Sequence, residues 1–252
     1  MPRILITGCS SGFGQAIASH FLREGWDVLA TMRNPSLDIL SPSDKLRILP
    51  LDVTNHGSIQ AAISEAGPID ALVNNAGVGM LNVLEGLEIA KARELFETNV
   101  IGTMAMSKAV MPGMRERGGG VIVNISSSIT LRALPALSVY SASKAAVNAF
   151  TESFALEAAN FGVRTRLVLP GSAPETSFGK NAVARMGMNV PGEYSTFVRS
   201  YIETLQGVTE KTKAQDVAAA TWRAVTDPDA PMMLPAGADA EAWFHEAGRT
   251  TA

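Results

Sequence analysis

The sequence predicts an α/β fold, a doubly wound parallel sheet with helices on both faces and a ligand cleft at the C-terminal strand ends. Three observations carry that prediction. Short apolar runs alternate with amphipathic stretches from residue 3 to about residue 170, without a linker or a repeat. The first apolar run leads straight into a glycine-rich turn. With 252 residues, 46% hydrophobic and 18% charged, the chain can bury a large core.

Residues 3–7 form a short apolar run suited to a buried parallel strand. Gly8-Cys-Ser-Ser-Gly12-Phe-Gly14 follows, and residues 15–23 read as an amphipathic helix. Glycines at such a junction let a pyrophosphate approach the backbone. The helix N-terminus then offers free N–H groups and a partial positive charge. Gly8, Ser10, Ser11, Gly12, Phe13 and Gly14 are therefore candidate cofactor contacts.

Residues 27–33 give a second strand and its exit. An acid is often found here, accepting the ribose 2′-hydroxyl of NAD. This chain places Thr31 at the expected position, followed by Met32 and Arg33. Without the acid nothing repels a 2′-phosphate, and the Arg33 guanidinium could clamp one, so the reading is NADP(H) over NAD. Further strands are expected at residues 46–51, 69–73 and 121–125, and helices around residues 95–114 and 140–160. Gly118-Gly-Gly120 falls between a helix and a strand, as a loop and not a domain boundary.

Tyr140 and Lys144, in Tyr-Ser-Ala-Ser-Lys, share a helical face by their i, i+4 spacing. Ser127 lies 13 residues upstream, just past an apolar run. A phenol has a pKa of about 10, and a neighbouring ammonium lowers it, so a tyrosine beside a lysine could exchange a proton with a carbonyl or alcohol oxygen. The serine hydroxyl could hold that same oxygen.

Together these residues resemble the short-chain dehydrogenase/reductase family over nearly the whole chain. Thr7-Gly8-x-x-x-Gly12-x-Gly14, Asn74-Asn-Ala-Gly77, Asn99, Ser127, Tyr140, Lys144, Asp52-Val53 and Pro170-Gly171 match its motifs in order. The resemblance implies a Rossmann-type domain over residues 1–252 with a short helical substrate lid at about 172–212. It implies that Tyr140 is the general acid/base, that Lys144 holds the nicotinamide ribose and lowers the tyrosine pKa, and that Ser127 polarises the substrate oxygen. Asn99 would support a water in the proton relay. Asp52 and Val53 would lie at the adenine, and Asn75, Ala76, Gly77, Pro170 and Gly171 elsewhere along the cofactor. A family threonine usually follows Pro-Gly by four residues. Here Glu175 stands there and Thr176 comes one later, read as a one-residue insertion. The usual C-terminal strand ending in Asp-Gly-Gly is missing, with residues 231–239 in its place, as in the branch holding steroid and retinol reductases.

A net charge of −3 without a basic cluster argues against a nucleic-acid surface. Cys9 is the only cysteine, suited to packing and to a reducing cytoplasm. No stretch approaches the ~18 apolar residues of a membrane span, and no room for a signal peptide precedes the first strand. His20, His56 and His245 lack metal-ligand spacing. Met104, Met106, Met111 and Met114 suit core packing, whereas Met186, Met188, Tyr194, Phe197 and Tyr201 suit an adaptable apolar pocket in the lid.

The expected function is an NADP(H)-dependent oxidoreductase acting on an apolar ketone, aldehyde or alcohol. Two rivals are a nucleotide-sensing protein that lost the chemistry and a sugar-nucleotide epimerase or dehydratase. The first should lack Tyr140 or Lys144, and the second needs a longer substrate domain. The many small and apolar residues from Ala145 to Leu156 exceed what one buried face needs, which points to self-association. The resemblance implies that this helix and the one carrying Asn99 form the symmetric interface of a homodimer or homotetramer.

Overall fold

A computed structural model describes residues 1–174, 190–200 and 211–249. The strands are β1 (Arg3–Ile6), β2 (Asp27–Met32), β3 (Leu46–Pro50), β4 (Ala71–Asn74), β5 (Gly120–Ile125), β6 (Val163–Pro170) and β7 (Met233–Ala236). The helices described are α1 (Gly12–Arg23), α2 (His56–Ala66), α3 (Ile89–Phe96), α4 (Gly102–Arg117), α5 (Ser138–Ala159), α6 (Ala214–Thr226) and α7 (Ala238–Glu246). The strands form one parallel sheet in the order β3-β2-β1-β4-β5-β6-β7. The order reverses direction between β1 and β4, and the cleft opens beyond the strand ends there.

Each central strand is apolar on both faces, and its alternate residues feed two separate cores. Ile4, Ile6, Val28, Ala30, Ala71 and Val73 pack toward α1 and α6 with Ile17, Phe21 and Val217. Leu5, Leu29, Leu72 and Ile122 turn the other way, onto Ile59 of α2 and Met106, Val110 and Met114 of α4. Met106 and Met114 are thus core residues, as their spacing predicts. Cys9 is buried as well, and burial pushes its thiol up to about 12, which fits packing and not reactivity.

Two expectations need correction. Residues 233–236 do form a seventh strand, pairing Leu167 with Met233 through Pro170 with Ala236. The edge strand survives without Asp-Gly-Gly because parallel pairing uses the backbone and an apolar face, and Met-Leu-Pro-Ala supplies both. The helix through Asn99 is not regular. Residues Glu97–Ile101 form a π-helical turn between α3 and α4, a widened geometry that often marks a functional position. Among the described residues no helix is long and apolar enough to cross a membrane.

Candidate active site

Past the C-terminal ends of β1, β2, β4, β5 and β6 lies a cleft of about 950 Å³. Gly8, Ser10, Ser11, Gly12, Phe13, Arg33, Asp52, Val53, Asn75, Ala76, Gly77, Ser127, Tyr140, Lys144, Pro170 and Gly171 all line it. Sixteen positions spread over the chain thus share one cleft. Gly14 and Asn99 stand behind the wall, and Thr176 lies outside the described residues.

The glycine turn is tied to β4. The Thr7 hydroxyl accepts the N–H groups of Asn75 (3.0 Å) and Ala76 (2.9 Å), and the Asn75 amide donates to the carbonyls of Thr7 (2.9 Å) and Gly8 (3.0 Å). Asn75 therefore acts on the turn itself. Gly14 lies under the turn, where a β-carbon would overlap the Gly8 carbonyl. At the start of α1, Ser11 makes no side-chain cap and the first turn carries no acid. Its leading N–H groups face the cleft with the positive end of the helix dipole, a fit to an anionic pyrophosphate.

The exit of β2 differs from expectation. Thr31 is fully buried and its hydroxyl donates to the Ile6 carbonyl at 3.0 Å, so it does not reach the cleft. Strand alternation turns Thr31 inward, and Met32 and Arg33 line the cleft instead. Arg33 is exposed and makes no ion pair within 4.0 Å among the described residues. The Asp52 carboxylate accepts from the Thr54 N–H (2.9 Å) and hydroxyl (2.8 Å). The backbone bond most of all holds its pKa below the ordinary value.

Ser127 caps a short turn after β5, and Tyr140 lies in the first turn of α5. The Tyr140 phenol is hydrogen-bonded to the Ser127 hydroxyl. Burial pushes the phenol pKa up, and the bond to Ser127 opposes this only in part. The lowering by Lys144 that the spacing suggested is not what governs the phenol here. Lys144 is itself buried, 6.0 Å from the tyrosine ring centroid, and its Nζ donates to the Ile125 carbonyl at 2.9 Å. Burial pushes its pKa down to about 8.

Asn99 holds the wall from behind. Its side-chain oxygen accepts the Val78 N–H (2.8 Å), and its amide donates to the Val78 carbonyl (2.9 Å) and the Ser143 hydroxyl (3.2 Å). Ser143 donates in turn to the Tyr140 carbonyl at 2.7 Å, linking Asn99 to the first turn of α5. Sequence reading missed Ser143, although its place three residues after Tyr140 puts it on the same helical face. Of the expected lid residues, Met186, Met188 and Tyr201 lie outside the described residues. Tyr194 is hydrogen-bonded to Glu85, Phe197 is exposed, and neither lines the cleft. Among the described residues no three His, Cys, Asp or Glu side chains gather as a metal would require.

Residues 2–186 match the family model described as short chain dehydrogenase. The chain is 39% identical over 215 residues to the uncharacterized oxidoreductase YusZ of Bacillus subtilis, covering 81% of this chain and 76% of that one. It is 38% identical over 199 residues to human retinol dehydrogenase 8, covering 74% of this chain and 64% of that one. A crystal structure of a short chain dehydrogenase from Burkholderia cenocepacia in complex with NADP superposes with a TM-score of 0.77. The two are 28% identical, over 98% of this chain and 92% of the other. The convergence of the motifs on one cleft and these likenesses agree: the chain belongs to the short-chain dehydrogenase/reductase family of oxidoreductases, on the retinol dehydrogenase side of it.

Proposed function

We propose that the cleft binds NADP(H) and that the protein interconverts an apolar ketone or aldehyde with the corresponding alcohol, with Tyr140 as general acid/base. The observation that carries this reading is the Tyr140–Ser127 hydrogen bond in the cleft wall, with the buried Lys144 behind it. The uncapped start of α1 suits the pyrophosphate, and Arg33 suits a 2′-phosphate. The Burkholderia relative was crystallised with NADP, which agrees.

A bound nicotinamide would supply the hydride. The protein supplies the proton and the placement. With its pKa raised by burial, Tyr140 carries its proton throughout the neutral range and can hand it to a carbonyl oxygen held by Ser127. The phenolate left behind faces Lys144, still largely protonated at pH 7 with a pKa of about 8. Lys144, which lines the cleft, would also take the nicotinamide ribose hydroxyls. Asn99 keeps residues 77–78 and the first turn of α5 in register.

The human relative is named for retinol, an apolar alcohol, which favours an apolar substrate here. We read residues 1–252 as one domain working in the cytoplasm, and as a homodimer or homotetramer. On α5, Ala145, Ala149 and Leu156 lie exposed along one side, Leu156 at 77%. Following absorbance of NADPH and NADH with a panel of apolar ketones tests the function. No consumption of either coenzyme with any ketone, aldehyde or alcohol would refute it.

A further inference from the structure

Beyond β6 the chain is held by two side chains from remote parts of the sequence. The Gly171 N–H donates to the Thr212 hydroxyl at 2.9 Å, across 41 residues, and the Ser172 N–H donates to the Asp239 carboxylate at 2.6 Å, across 67. The Thr212 N–H returns a bond to the Ser172 carbonyl at 2.8 Å. The Thr212 hydroxyl lies 2.7 Å from the carboxylate and 2.8 Å from the Ala236 carbonyl, either of which can take its proton. Thr212 is 3% exposed and Asp239 is 5% exposed.

Two glycines exist in this arrangement for lack of room. A β-carbon on Gly171 would overlap the Asp239 carboxylate, and one on Gly237, whose φ is +100°, would overlap the Thr212 hydroxyl. A buried carboxylate is costly, and apolar side chains could join the same segments more cheaply. What the carboxylate adds is direction. Seated in the first turn of α7, it fixes which way the Ser172 N–H points.

The same helix reaches the opposite wall of the cleft. Phe244 of α7 shares a cluster with Val100, next to Asn99, with Val147, one turn beyond Lys144, and with Leu131 of the Ser127 turn. Trp243 lies beneath the Arg132 guanidinium at 5.5 Å. The Ser127 hydroxyl closes the circuit with a long bond to the Pro170 carbonyl at 3.4 Å.

We infer that Asp239 and Thr212 are positioning residues for the oxidoreductase site: they set residues 170–173 at a fixed height against Ser127 and Tyr140. This rests on reading the cleft as a nicotinamide site. Without the two side chains, residues 171–172 lose two bonds and keep only the backbone bond from Thr212 to the Ser172 carbonyl and the long one from Gly171 to the Ala236 carbonyl. The wall beside the reacting atoms then loosens while the sheet beneath stays intact.

The test compares Thr212→Val, Thr212→Ser and Asp239→Ala with Val225→Ala, a control that loosens the core on the α1/α6 side, away from the cleft. The readouts are amide hydrogen exchange at Gly171 and Ser172, NADPH affinity by fluorescence, kcat and KM, and melting temperature. In Thr212→Val, exchange at the Gly171 amide, left with only the Ala236 carbonyl at 3.4 Å, should speed up by about tenfold or more, with kcat/KM falling by a similar factor. Asp239→Ala should do the same at Ser172. Thr212→Ser should restore the Gly171 exchange rate and kcat/KM. Val225→Ala should lower the melting temperature with kcat and KM unchanged. Wild-type exchange rates in Thr212→Val would overturn the clamp. Faster exchange with unaltered kcat and KM would overturn its positioning role. Should Asp239→Ala not fold, the valine and serine variants at 212 decide alone. Wild-type protein that bound neither NADPH nor NADH would overturn the cleft assignment and the positioning role with it, while the exchange rates would still report whether the clamp holds the loop.

Discussion

The hydroxyl of Thr31 donates to the carbonyl oxygen of Ile6 at 3.0 Å, fixing this side chain between β1 and β2 and presenting Met32 and Arg33 to the cleft. Coenzyme choice should follow that geometry. Arg33→Ala should weaken NADPH by about 10- to 150-fold, the worth of a hydrogen bond to a charged group, and leave NADH almost unaffected. Arg33→Asp should go further and reverse the preference, because this exposed position lines the cleft and a carboxylate there would repel a 2′-phosphate and accept a ribose hydroxyl. Thr31→Asp should instead lower stability sharply, because it buries a carboxylate against a carbonyl oxygen. Comparing kcat/KM for the two coenzymes with melting curves checks all three. Wild-type protein preferring NADH would refute the NADP assignment.

Tyr140→Phe should reduce kcat by about 10²- to 10⁴-fold and leave NADPH affinity near the wild-type value. It removes the proton donor and one bond to Ser127, but no ring volume. Turnover at the wild-type rate would show that another group is the acid.

Lys144→Met should impair turnover and cofactor affinity yet stabilise the free protein near neutrality. Burial holds the lysine at about 8 instead of 10.5, so the unfolded chain takes up the proton more readily than the folded one. The charge therefore costs stability in full below pH 8, and that cost fades as pH rises toward 10.5. Allowing for the lost bond to Ile125, the melting temperature at pH 7 should rise by roughly 4–8 °C, with the gain shrinking by pH 10. Thermal scans at both pH values measure it. A variant less stable than wild type at pH 7 would contradict the burial argument.

Leu156→Glu should break self-association. The residue is 77% exposed on α5, where a carboxylate buried against a second copy would find no partner. Light scattering should give a multiple of 26.6 kDa for wild type and a smaller assembly for the variant. A wild-type monomer at micromolar concentration would sink the proposal.

The parts of this molecule legible in its sequence are those whose chemistry is local. The glycine turn, the Tyr140–Lys144 spacing and the alternation of strands and helices each lie within a few residues of chain, and each reappears in the structure. Thr31 was misplaced because one residue of strand phase decides which face it takes, and only the pairing of β2 with β1 and β3 sets that phase. The seventh strand was obscured by the lack of its usual ending, although four residues beside β6 suffice to make it. The roles of Asp239 and Thr212 could not be read at all. Their partners are 67 and 41 residues away, and nothing in the spacing announces a clamp.

The burial of Cys9 has a practical consequence. The chain holds one thiol, sealed in the core under the glycine turn and protonated up to a pKa of about 12, so folded molecules should ignore thiol reagents. Once the turn opens, the sulfur regains ordinary reactivity. Labelling at this single atom thus becomes a built-in clock for local opening, and its slowing under added coenzyme would report occupancy without any catalytic turnover.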